Sequence, residues 1–142
     1  MAEQLVATER ISAVVVDPWN ELDHRRPPTL TETEYISQSL SKIRSFARTY
    51  NVHVFVVAHP AKLQKDARGG YPVPTPYDIA GSAHWRNKSD CAITAWRDLS
   101  SHVDEVEVHV QKIRFREVGK IGMCRLKYDR VSGRFIDQDA VS

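Results

Sequence analysis

Residues 11–21 read ISAVVVDPWNE, and this stretch decides the fold. Ala13, Val14, Val15 and Val16 form a continuous apolar run, too short for a helix and rich in β-branched side chains. Apolar residues at successive positions predict an inner strand of a parallel sheet with helices over both faces. Asp17 follows at once, and Pro18 has no N–H to give to a ladder, so strand pairing is expected to end there. A carboxylate at the carboxyl end of a central strand points into the crevice where open α/β sheets bind ligands. Strands also end in Asp because Asp suits a turn, so a turn-former and a metal-associated acid both stand at this point.

The chain has 142 residues, enough for a real core, and residues 1–142 are read as one domain. Its 42% hydrophobic and 27% charged content is ordinary for a soluble protein, and a net charge of +2 is too small to argue nucleic-acid binding. No apolar run approaches the roughly 20 residues of a transmembrane helix, so no membrane partner is expected. The opening MAEQLVATER lacks the apolar centre of a signal peptide. Cys91 and Cys124 are expected as two buried, reduced thiols, which favours a cytoplasmic setting. No CxxC or HxxxH-type spacing points to zinc.

Along the chain, residues 1–10 read as a polar lead-in and residues 20–30 as a loop, with Pro27 and Pro28 in the charged run LDHRRPP. Thr31 with Glu34 is a capping box. Ile36, Leu40, Ile43, Ala47 and Tyr50 then recur at helical spacing, which predicts a helix to about Tyr50 with Asn51 as C-cap. VHVFVVA at 52–58 is a second apolar strand, so strand, helix and strand make a right-handed parallel crossover. His59 and Pro60 end it as Asp17 and Pro18 end the first. Both strands deliver a polar residue to the same edge, within about one side chain's reach at a 4.8 Å strand spacing. Residues 61–77, AKLQKDARGGYPVPTPY, form a long loop with Lys62, Lys65 and Arg68, expected to be mobile without a ligand. Residues 78–90 read as a short helix with Ser82 a candidate cap. Residues 91–96 read as a third strand and residues 105–113 as a half-exposed antiparallel one. Residues 114–120 are a charged connection. Residues 122–128 and 134–136 form a terminal hairpin around Ser132 and Gly133.

Four segments, VVVDPWNEL, VHVFVVAHPAK, DIAGSAHWRNKSDCAITAWRD and VQKIRFREVGKIGMCRLKYDRVSGRF, occur in this order. Together they resemble the C-terminal helicase core of the DnaB-like family, most of all its Twinkle-like and phage primase-helicase members, over residues 11–136. The resemblance implies an α/β fold: the C-terminal half of a RecA-like core, a parallel sheet with helices on its faces and an antiparallel C-terminal hairpin. It implies an ATP- and Mg²⁺-dependent helicase that self-associates into a ring, usually hexameric, and moves on single-stranded DNA. Asp17 matches the strand-end acid that supports Mg²⁺ through water. His59 matches the polar sensor of the γ-phosphate, against a plain strand-end His. Lys112 and Arg114 match a basic pair in which Arg114 is the arginine finger reaching a neighbour's ATP, against a solvated strand-end charge. Tyr128 matches a position that stacks on the nucleotide base, against ordinary strand packing. Lys62, Lys65 and Arg68 fall in the loop that lines the DNA channel, where lysines neutralise backbone phosphates without reading sequence. Asn20, with His24, Arg25 and Arg26, sits where relatives have another DNA-facing loop. Gly81 and Ser82 match a family turn, whereas Trp85 and Arg86 depart from the small or polar residues expected there.

The family's phosphate cradle, GxxxxGK[ST], is missing. Only Gly119 precedes a lysine, and Ile121 stands where Ser or Thr belongs. The glutamate that polarises the attacking water is missing too, so the chain is expected to be a fragment, a split-gene product or a degenerate homologue. Three readings follow: the C-terminal half of a replicative helicase, of phage or prophage type; a non-catalytic half-domain that binds DNA or a helicase ring; and, more weakly, a metal-dependent hydrolase using Asp17 with His24 or His59. Read as a solvated finger, Arg114→Ala is expected to change stability by no more than about 0.5 kcal/mol.

Overall fold

The computed structural model describes residues 2–65, 67, 69–80, 83–98 and 104–137. In order they form α1 (Ala2–Glu9), β1 (Ala13–Val16), α2 (Glu32–Tyr50), β2 (His53–Val56), α3 (His84–Lys88), β3 (Cys91–Trp96), β4 (Glu105–Ile113), β5 (Gly122–Asp129) and β6 (Arg134–Asp137). Short 3₁₀ turns lie at Trp19–Glu21 and Arg116–Val118. The chain divides into two compact units, Met1–Ala61 with Ile79–Lys88, and Lys62–Asp78 with Ser89–Ser142.

The polar lead-in is a helix, α1, because AEQLVATE holds good helix formers and neither Gly nor Pro. It buries no residue. In the first unit β1 and β2 pair in parallel, from Ala13↔His53 to Val16↔Val56, and α2 is the crossover between them. Both arms of the capping box are present: Thr31 accepts from the Glu34 N–H, and Glu34 accepts from the Thr31 N–H at 2.9 Å. The Thr31 N–H, then its hydroxyl, hold the Glu34 carboxyl below its ordinary range. At the other end Asn51 takes the left-handed conformation, φ 51°, that stops the helix.

Pairing does not stop at Pro18. The Trp19 N–H donates to the Val57 carbonyl at 2.7 Å, one residue past the proline. This turn swings Trp19 inward, where it forms a core with Ile36 and Trp85, and Tyr35, Leu40, Ile43, Val56, Ala58 and Ile79 pack around it. The Trp19 and Trp85 rings meet edge to face at 5.4 Å. The Trp85 indole N–H finds the Ala80 carbonyl at 3.2 Å, and the Lys88 ammonium ties α3 to α2 through the Ser37 carbonyl at 2.8 Å. Among the described residues only one face of the strand pair is covered. Val14, Val54 and Val56 are half-buried, whereas Val15, 62% exposed, and Phe55, 50% exposed, lie open on the other. The expected helix spanning residues 78–90 is confined to α3, and the Ser82 cap lies outside the described residues.

In the second unit β3, β4, β5 and β6 form one antiparallel sheet in chain order. The predicted terminal hairpin is there as β5 and β6, and two more strands extend it. Every residue of β4 is half-buried, as its alternating sequence and central place require. Gly133, φ +69°, makes the hairpin turn, and Asp129 accepts from the Ser132 hydroxyl and the Val131 N–H there. Those two bonds hold its carboxyl low. The two thiols are not buried: Cys124 is half-buried and Cys91 is exposed. Cys91 opens the outer strand β3 on the row that also leaves Ile93 and Ala95 exposed.

Trp85 fills the centre of a small core, so Trp85→Ala is expected to destabilise the first unit by about 3–5 kcal/mol. Chemical denaturation followed by far-UV circular dichroism measures this, and a midpoint equal to that of the parent chain would place Trp85 outside the core.

Candidate functional site

The parallel register fixes where the two strand-end residues go. Asp17 follows Val16 on β1, and His59 lies three residues beyond Val56 on β2, so both leave the same end of the pair. Both side chains are exposed. Asn20 couples the two ends, since its side-chain oxygen accepts the His59 backbone N–H at 3.1 Å. Asn20 thus commits one acceptor site of its carbonyl to the strand end and keeps the other, with its NH₂, for a ligand.

His24 has a structural task. Its Nε2 donates to the Trp19 carbonyl at 2.8 Å, so Nδ1 of the neutral ring accepts from the Tyr35 hydroxyl at 3.3 Å. The ring also packs on Trp19, centroids 4.6 Å apart. Both ring nitrogens are thus engaged within the first unit, which counts against the reading that pairs His24 with Asp17. His24 lines an open cleft of about 240 Å³ with Trp19, Arg26, Glu32, Tyr35 and Ile36. Among the described residues no three His, Cys, Asp or Glu side chains gather into a metal-holding group.

In the second unit the basic pair at the end of β4 converges on one carbonyl. The Lys112 ammonium donates to the Ser89 oxygen at 2.7 Å, and the Arg114 guanidinium reaches it at 3.4 Å. Arg114 also pairs with Asp90 at 3.1 Å, and its backbone N–H donates to the Asp90 carbonyl at 2.8 Å. Its side chain is 27% exposed. The picture of a free strand-end charge is therefore corrected: Arg114 is half-buried and partnered within its own chain, because the turn before β3 runs beside the end of β4. Tyr128 is half-buried and packs on Phe135 across the hairpin, centroids 5.1 Å apart.

The basic loop is tied down at its far end. The Pro74 carbonyl accepts from Gln111 Nε2 at 2.8 Å and from the Thr94 hydroxyl at 3.1 Å. Asp78 accepts from the Thr75 N–H and hydroxyl, both at 2.7 Å, and Pro76 is buried. Lys62 and Lys65 are exposed, and the Lys65 ammonium sits 5.4 Å over the Tyr71 ring. Arg68 lies outside the described residues, as do Gly81 and Ser82. An untethered loop is thus not what residues 74–78 form. The anchors went unread in the sequence, although a Thr inside the apolar CAITAW and a Gln closing the alternation of β4 were the available signals.

No protein-family model matches the chain. It is 43% identical over 139 residues to the Twinkle homolog protein, chloroplastic/mitochondrial, of Arabidopsis thaliana, a match that takes in 96% of this chain and 19% of that protein. The chain therefore spans about a fifth of the length of that relative. Among solved structures, a DnaB-like replicative helicase, determined with its interactions with primase, superposes with a TM-score of 0.72 at 20% identity. That match covers 95% of this chain and 33% of the other. The resemblance to Twinkle-like proteins is borne out in sequence along nearly the whole chain, and the fold is that of part of a DnaB-like replicative helicase.

Arg114→Ala is expected to cost about 1 kcal/mol, more than a free surface charge, because it removes a half-exposed ion pair and a carbonyl bond. Thermal unfolding against the parent chain measures this. For Asp78, the Thr75 N–H first, then its hydroxyl, hold the carboxyl below the ordinary Asp range. Its contribution is therefore complete above the unfolded-state value and lost as pH falls through the lowered folded-state one. Amide exchange at Thr75, Tyr77 and Asp78 should stay protected down through mildly acidic pH and open only below the usual Asp range. Opening near neutrality would contradict the Thr75–Asp78 turn.

Proposed function

We propose that this chain is the C-terminal part of the ATPase core of a replicative DNA helicase, of phage primase-helicase type. The observation that carries the reading is the parallel register of β1 and β2, which sends Asp17 and His59 off the same strand ends with Asn20 joining them. The identity to the Twinkle homolog over nearly the whole chain supports it. In this reading Asp17 supplies the strand-end acid of a Mg²⁺ site. His59 senses the γ-phosphate, and Asn20 carries its state to the β1 side through the His59 N–H. Lys62, Lys65 and Arg68 meet single-stranded DNA through its phosphates, and Tyr128 offers a face to the nucleotide base. Arg114 acts in trans on ATP held by a neighbouring subunit of a ring, with Lys112 beside it, and must first exchange Asp90 and the Ser89 carbonyl for phosphate oxygens. The proposed setting is a bacterial or phage-infected cytoplasm.

The residues present fit only the rim of a nucleotide site. The sequence has no phosphate cradle, and Asp17 belongs to no three-ligand cluster among the described residues. Mg²⁺ and ATP supply the phosphoryl chemistry in a complete core, and no hydrolytic step is assigned to this chain alone. The same absence favours a second reading, a non-catalytic half-domain that binds DNA or a helicase ring. A phosphate loop encoded in frame immediately upstream of Met1 separates the two in favour of the first.

The purified chain is expected to turn over no ATP above background. Steady hydrolysis that Asp17→Ala abolishes would overturn this account of what is missing. Replacing Lys62, Lys65 and Arg68 by Ala should weaken single-strand binding equally across sequences and flatten the salt slope by about two, at roughly 0.7 per lost phosphate contact. An unchanged slope assigns the loop to solvent.

In the complete helicase Arg114→Ala should lower hydrolysis by roughly 10³-fold while nucleotide binding and ring assembly survive. A finger-less subunit beside a subunit defective in its phosphate loop should restore one working interface. Activity confined to subunits that carry both features would mean that Arg114 acts in cis.

A further inference from the structure

Thr94 and Gln111 hold the Pro74 carbonyl, and neither the sheet nor the proposed ATP chemistry uses that grip. Thr94 lies on β3 opposite His109, and Gln111 lies two residues beyond His109 on β4. Both are half-buried, and their side chains meet at 3.2 Å. A carbonyl oxygen has two lone pairs, and here Gln111 Nε2 fills one and the Thr94 hydroxyl the other. The hydroxyl has one proton, so it turns either to Pro74 or to Gln111 Oε1, and the three groups close into one network. Valine would fill the space of Thr94 equally and suit an apolar strand as well, so the hydroxyl is what this position retains beyond packing.

The grip extends beyond Pro74. Residues 72–76 read PVPTP, and each proline fixes its φ near −65°, so the segment is stiff. Pro76 is buried and the Thr75–Asp78 turn secures the far side. On the near side the segment leads to Tyr71, whose ring carries the Lys65 ammonium. From the geometry we infer that Thr94 and Gln111 are positioning residues, which preset the basic loop for the phosphates of single-stranded nucleic acid by holding its stiff end to the sheet. The inference rests on the reading of the loop as a single-strand contact. A loop already held loses less freedom on binding, so the grip acts on affinity without adding a charge.

The test uses the full chain, a fluorescent oligothymidylate and anisotropy titrations at several salt concentrations. Thr94→Val and Gln111→Leu keep volume and net charge. The double variant should keep its circular dichroism, lose amide protection at Val73, Thr75 and Tyr77, and bind about 5–10-fold more weakly at every salt concentration, with the salt slope unchanged. Thr94→Ser, which keeps the hydroxyl, should bind as the parent does. Unchanged affinity in the double variant, while Lys62→Ala with Lys65→Ala weakens binding and flattens the slope, overturns the positioning role and leaves the single-strand reading intact. A changed slope in the double variant overturns it too, since phosphate contacts themselves were then altered. If the lysine variants move neither affinity nor slope, the single-strand reading falls and takes this inference with it. Should the double variant fail to fold, the two single variants supply the same comparison.

Discussion

Two parallel strands cannot be joined by a tight turn, and the first unit is arranged around that constraint. The chain must leave the carboxyl end of β1 and return to the amino end of β2, and α2 is the element that returns it. The capping box at Thr31 and the left-handed Asn51 set its length, so β2 starts in register with β1. The same register sends Asp17 and His59 off one end. The link from Trp19 to Val57 then does two things: it carries pairing past a proline, and it aims the indole at Trp85 and Ile36. Core and candidate site are thus built from adjacent residues, with Trp19 inside and Asn20 on the His59 N–H.

The second unit rests on side chains that capture backbone carbonyls. Lys112 and Arg114 share the Ser89 oxygen, and Thr94 and Gln111 share that of Pro74. These carbonyls lie in turns and loops, where no ladder satisfies them, and a charged or amide donor offsets that deficit. Two of the four donors lie on β4, which has neighbours on both sides, and Arg114 follows it directly. A further charged cluster sits at its opposite end. Asp104 accepts from Arg130 at 2.6 and 2.8 Å and pairs with Arg97 at 2.9 Å. The Arg130 hydrogen bonds first, then the charges of Arg130 and Arg97, hold the Asp104 carboxyl low, and Asp104 in turn raises Arg130.

Among the described residues the β1–β2 pair keeps one open face. Parallel sheets are ordinarily covered on both faces, and here Val15 and Phe55 are at least half exposed. The structural neighbour is three times as long as the part of it that this chain matches. The valine run at 13–16 therefore reads as an inner strand although one of its faces is bare, because the run records what a covered strand needs.

The sequence by itself determined the elements whose signals are local. The valine run, the capping box, Asn51 and the alternation of 105–113 each state a backbone preference within a few residues, and all of them appear where they were read. The order of four motifs pointed to the fold, and the superposition on a DnaB-like helicase bears that fold out. Only the tertiary structure decided what the long side chains do. Arg114 reads as a free charge until Ser89 and Asp90, some 24 residues earlier, come beside it. His24 reads as a candidate ligand until Trp19 and Tyr35 take both of its nitrogens. Trp85 reads as a misfit until Trp19 meets it edge to face. A strand or a cap is decided by neighbours in sequence. A hydrogen-bond partner is decided by neighbours in space, and those exist only once the chain has folded.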